Sequence, residues 1–91
     1  MYMRLTRGQI DPSKSDAAQQ AAAAVIAAVK ALPGCQGVQN GVDPETGRTI
    51  AVSTFDTREH ASFARESLGE PLKRLLALGY TADAPEIYEA L

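Results

Sequence analysis

Apolar and polar side chains alternate from Tyr2 to Ile10, with Met3 and Leu5 pointing one way and Tyr2, Arg4 and Thr6 the other. A period of two over so short a run predicts a β-strand. The stretch DPSKSD ends it, because Pro12 cannot donate to a ladder. Ser13 or Ser15 is placed to cap a following helix, with Asp16 in its first turn. The period then changes. Ala18, Ala22, Val25, Val29 and Leu32 recur at spacings of four, three, four and three, which predicts a helix over 16–32 whose buried face carries little bulk. Pro33 and Gly34 stop it.

Alternation resumes from Cys35 to Asp43, with Val38 and Val42 sharing a face with Gln36 and Asn40. DPETGR reads as a turn: Pro44 presets one backbone angle and Gly47 tolerates positive φ before the next strand. In that strand, RTIAVSTFD, Ile50, Val52 and Thr54 lie on one face and Ala51, Ser53 and Phe55 on the other. The two runs predict a β-hairpin. Thr57 is a good N-cap for a second helix, whose buried stripe is expected at Ala61, Ala64 and Leu68. Gly69 and Pro71 break it, and PLKRLLALG restarts as a short helical piece with Leu72, Leu75 and Leu76 inward. After a loop at 80–85, EIYEAL reads as a last strand. The order βαββαβ predicts an α+β, ferredoxin-like fold: a four-stranded antiparallel sheet with helices on one face, as one domain over 1–91.

That architecture leaves one sheet face without helices, yet the strands carry apolar side chains on both. Pairing of two open faces is therefore expected, which makes the chain its own partner in a homodimer. The chain's 91 residues bury only a thin core, which favours the same solution. Composition narrows the classes. A net charge of -2 with no basic cluster argues against nucleic acid, and no run approaches a membrane span. A single cysteine, Cys35, forms no internal disulfide, and the first ten residues lack an apolar signal segment. A cytoplasmic protein is expected.

Three stretches together, RLTRGQIDPSKSD, ALPGCQGVQNGVDPETGRTIAVSTFDTREHA and PEIYEAL, resemble the antibiotic-biosynthesis-monooxygenase-type dimeric α/β-barrel superfamily. The carrying features are Leu32-Pro33-Gly34 before the second strand, a turn ending in Gly47, and the Phe55-Asp56-Thr57 step into the second helix. The resemblance implies a cavity between helices and sheet, with the strand-three aromatic near its wall, and no cofactor. It also marks departures. Quinone-forming oxygenases of this group typically carry Trp at that aromatic and Asn four residues earlier, where this chain has Phe55 and Ala51. Haem-degrading relatives rely on an Asn, Trp and His set, and this chain has no Trp.

His60, the only histidine, is the first catalytic candidate. The start of a helix disfavours imidazolium, which suits a general base; the plainer reading is a half-exposed residue on a helix start. Arg4 is the second, since a guanidinium inside a cavity selects a carboxylate or enolate, against the plainer reading of a solvent-edge ion pair. Arg65 and Arg58 are expected in solvent, and Tyr80 in packing. Asn40, Ser53, Phe55, Phe63 and Tyr88 are candidate pocket residues, with the face each takes dependent on register. Two functions follow. One is a cofactor-independent, monooxygenase-like enzyme acting on a small aromatic or enolisable metabolite. The other is a non-catalytic dimer that binds a small hydrophobic molecule or serves as an accessory subunit.

Overall fold

The structure, a computed structural model, describes residues Met1–Leu91. Strand β1 (Tyr2–Gln9) lies at the centre of an antiparallel sheet, paired along its whole length with β3 (Arg48–Phe55). Strand β2 (Cys35–Val42) closes the hairpin with β3 on the far side. The other edge of β1 is shared by two short strands, β4 (Thr81–Ala82) and β5 (Glu86–Glu89). The expected fourth strand is thus two pieces, and β4 falls in the stretch read as loop. Pro85 has no N–H to give a ladder, and the Asp83 N–H turns instead to the Arg7 carbonyl at 2.8 Å.

The turn between β2 and β3 uses its residues as anticipated. Asp43 and Arg48 close it through the backbone, the Asp43 carboxylate accepts from Glu45 N–H at 2.9 Å, and Gly47 takes φ 78°. At the start of β2 a bulge between Cys35 and Gly37 pushes Gln36 out of register, so Gln36 does not share the face of Val38 and Asn40. The helices α1 (Ser15–Lys30), α2 (Arg58–Ala61) and α3 (Glu70–Ala77) lie on one side of the sheet. Before α1, the cap is neither Ser13 nor Ser15. Pro12 opens a single 3-10 turn, which leaves Asp11 as the residue whose carboxylate accepts from Ser13 N–H at 2.9 Å.

The second helix is one turn long, not three. Thr57 caps it as expected, accepting from His60 N–H at 3.0 Å, but it ends at Ala61, and a 3-10 turn at Arg65–Leu68 follows. The cause is non-local. In a continuous α-helix the carbonyls of Ala61 and Phe63 would accept from residues four ahead. Here the Arg4 guanidinium takes both, at 2.9 Å each. Ala61 and Leu68 are buried, whereas Ala64, once the helix is broken, is exposed. In α3, Leu72 and Leu75 face inward and Leu76 does not.

Two apolar clusters hold the helices to the sheet: Val29, Phe55, Ala61, Leu68 and Leu72, and a smaller one of Ile10, Ala18 and Leu75. The opposite sheet face carries Met3, Leu5, Ile50, Val52 and Tyr88, with Ile50 and Tyr88 exposed and no helix over them. No helix is long and apolar enough to cross a membrane.

Gly34, between α1 and β2, has φ 75°, and a Cβ there would run into the side chains of Asp56 and His60. Gly34→Ala is expected to cost about 1–2 kcal/mol from the left-handed backbone alone, measured as a lower midpoint in urea denaturation with an unchanged slope.

Candidate functional site

A cavity of about 530 Å³ separates the inner sheet face from the helices. It exists because small side chains face one another: Ala18 and Ala22 on α1 stand over a sheet floor that includes Thr6, Ala51 and Ser53. The alanine-rich stripe read from the sequence brings helix and sheet together without filling the space between them. Val25, Val29, Leu68, Leu72 and Leu75 complete an apolar wall. The volume lies in the range of pockets that take whole small molecules.

Arg4 is the polar feature of this wall. It points from the middle of β1 toward the helices and is only 9% exposed. Besides its bonds to the Ala61 and Phe63 carbonyls, its guanidinium lies 3.8 Å from the centroid of the Phe63 ring, a cation–π contact. Phe63 in turn packs on Phe55, with ring centroids 5.7 Å apart and planes tilted by 51°. The ion pairs of the protein are Arg7–Glu86, His60–Asp56 and Lys73–Glu70, so Arg4 is a buried cation without a carboxylate partner. Burial, and next the charge of Arg65, pull its pKa below the ordinary range, yet a guanidinium remains cationic at any working pH.

Arg65 and Tyr80 also belong to the polar part of the wall. Arg65 is exposed and Tyr80 packs against both apolar clusters, each as expected, and both also line the cavity. Arg65 was read as continuing the second helix; the break after Ala61 resets the phase and brings it to the cavity. Tyr80 follows α3 and lies against Gly8 and Thr49, where a Cβ on Gly8 would meet its ring. Burial raises its phenol pKa, so it remains a neutral hydrogen-bond donor. No local sequence signal marks either residue, since both positions depend on where distant segments fold.

The remaining candidates divide. Ser53 is buried and lies directly across from Arg4, Phe63 forms wall, and Asn40 lines the cavity from β2 with its side chain accessible. Phe55 is fully buried one layer beneath, where Phe63 covers it. Tyr88 is on the opposite sheet face, 51% exposed, its hydroxyl bonded to Glu86 at 2.6 Å. His60 lies outside the cavity wall. Its Nδ1 is 2.6 Å from the Asp56 carboxylate beside the Gly34 turn, and that bond holds the Asp56 carboxyl below its usual range.

By sequence the chain matches no protein-family model and no curated protein. By structure it superposes on solved proteins over essentially its whole length. A protein from Deinococcus radiodurans, provisionally classed as an antibiotic biosynthesis monooxygenase, gives a TM-score of 0.76 at 17% identity, covering 99% of this chain and 92% of that one. A Nitrosomonas europaea protein of the same provisional class gives 0.74 at 18%, covering 100% and 99%. SnoaB, a cofactor-independent oxygenase from Streptomyces nogalater, gives 0.73 at 14%, covering 99% and 92%. The chain has the antibiotic biosynthesis monooxygenase fold. Ala51 pairs directly across with Asn40, which places a carboxamide on the cavity floor from β2.

Proposed function

We propose that this protein is a cofactor-independent, monooxygenase-like enzyme that holds a small aromatic or enolisable metabolite in the cavity between sheet and helices. The observation that carries this reading is Arg4, a buried guanidinium without an ion-pair partner in the wall of a mostly apolar cavity. When an enolisable or phenolic substrate gives its proton to water an anion forms, and a fixed cation in a low-dielectric site stabilises that charge without reorganising. Ser53, Asn40 and Tyr80 offer neutral hydrogen bonds to substrate oxygens. His60, paired with Asp56 beside Gly34, is assigned to the start of α2 and takes no part in the chemistry. The structural likeness to SnoaB supports the reaction type through the fold.

Oxygen uptake with a panel of anthrones and hydroquinones tests the reading. Turnover is expected for wild type, with His60→Ala close to it and Arg4→Met far below. Uptake by no substrate would leave the second reading, a non-catalytic binder of the same class of molecule, in its place.

We further propose that the protein acts in the cytoplasm as a homodimer through the outer sheet face, where Leu5, Val52 and Tyr88 lie together. Sedimentation velocity is expected to give a dimer for wild type and a monomer for Val52→Lys, because two lysines would meet across an apolar contact. A wild-type monomer at micromolar concentration would refute the assembly.

A further inference from the structure

The reading above accounts for a negative charge that forms during reaction. The resting cavity is already unbalanced. Among the charged residues of its wall are two cations, Arg4 and Arg65, and one carboxylate, Asp83. Asp83 is exposed on the loop between β4 and β5, anchored through its own N–H, and forms no ion pair with either arginine. Arg65 is close enough for its charge to act on both Arg4 and Tyr80. Arg4 is buried and Arg65, though exposed, repels it, at a cost that an anion in the ground state would relieve.

The donors of Arg4 show where that anion would sit. Of the five N–H groups of a guanidinium, the two on Nη1 are engaged by the Ala61 and Phe63 carbonyls. Nε and Nη2 make no hydrogen bond and neither is sealed from solvent, so Arg4, which lines the cavity, keeps one edge unengaged. The Phe63 ring and the two carbonyls fix the plane of the group. An immobilised guanidinium with a free Nε–Nη2 edge presents two parallel N–H groups, the arrangement that a carboxylate accepts in bidentate fashion. A single such edge in an apolar wall suits a monoanion better than a phosphate, which needs more donors.

Building on the proposed function, we propose that the natural ligand carries a permanent carboxylate, bound by the free edge of Arg4 and conjugated with the carbon that loses its proton, so that charge formed there spreads onto the same carboxylate, on a small apolar body that fills the remaining cavity. Arg65 supplies a second, more exposed positive charge that draws the acid inward. The carboxylate sets which end of the molecule goes in first, and so which carbon lies along the Ser53–Asn40 floor.

A matched pair of probes, naphthoate and its neutral isostere naphthamide, tests this by isothermal titration calorimetry at low salt. The intact protein is expected to bind naphthoate about 10- to 100-fold more tightly, the value of a charge-assisted bond at a buried, otherwise unpaired donor. Arg4→Met is expected to abolish the preference and Arg65→Gln to reduce it partly. Should Arg4→Met not fold, the wild-type pair and Arg65→Gln still decide the matter. Equal affinity for the two probes would overturn the carboxylate proposal while leaving a ligand-binding cavity in place. Binding of neither would overturn both. An undiminished preference in both arginine variants would place the acid elsewhere and also overturn it. A carboxylate preference without oxygen uptake on any substrate would sustain this proposal and remove the enzymatic one.

Discussion

Arg4→Met is expected to lower turnover of an anthrone or hydroquinone substrate by about 10²–10³-fold, the usual loss when a preorganised donor to a developing anion is removed. The substitution keeps an unbranched side chain in the wall and removes the charge, both clamped N–H groups and the free edge. Its effect on stability should be smaller. The Ala61 and Phe63 carbonyls lose their donor, at about 1–3 kcal/mol, while relief of the guanidinium's desolvation offsets part of that. Activity and stability should therefore separate: a folded protein by circular dichroism, with kcat collapsed. Arg4→Lys restores a charge but not the fork, and should recover only part of the rate. A folded Arg4→Met variant with wild-type kcat would remove Arg4 from the chemistry.

Phe55→Ala is expected to have the largest effect on stability, about 3–5 kcal/mol, because a large side chain is lost from a site that cannot collapse around the gap. Phe55 is fully buried and belongs to the cluster that joins β3 to Val29, Ala61, Leu68 and Leu72. A domain of this size has total stability on the order of 5–15 kcal/mol, so the variant should stand close to its unfolding threshold. Urea denaturation followed by circular dichroism measures the shift. A loss below about 1 kcal/mol would mean that the cluster repacks, and the layered contact from Phe55 through Phe63 to Arg4 is then not the support described above. Phe55 acts beneath the cavity, whereas Phe63 touches it.

That distinction shows how far the sequence could be read. The hairpin, the Thr57 cap, the stop at Gly34 and the alanine stripe of α1 were legible because each rests on local chemistry: a positive φ, a capping hydroxyl, a helical period. Arg4 was legible as a candidate from alternation alone, since its face is shared with Tyr2 and Thr6. The length of α2 was not. Ala61, Ala64 and Leu68 fit a helical stripe, and only a guanidinium more than fifty residues away, bonded to Ala61 and Phe63, ends the helix early. The same event leaves Arg65 exposed, as expected, but lining the cavity as well. Arg65, whose place at the cavity depends on that contact, lies beyond any periodicity argument, whereas Phe63 was already a pocket candidate in the sequence. The split of the last strand was missed for a smaller reason: two residues at Thr81–Ala82 are too few to show a period.

The central claim is that a small molecule occupies the cavity against Arg4. Amide chemical-shift mapping of isotope-labelled protein titrated with naphthoate tests it most directly. Perturbations should concentrate at Arg4, Ser53, Phe63 and Leu72, on the inner face, and leave Met3 and Leu5 near their free values. Shifts confined to Met3, Leu5 and Tyr88, with Arg4 and Ser53 unmoved at saturation, would place binding on the outer sheet face and contradict the account.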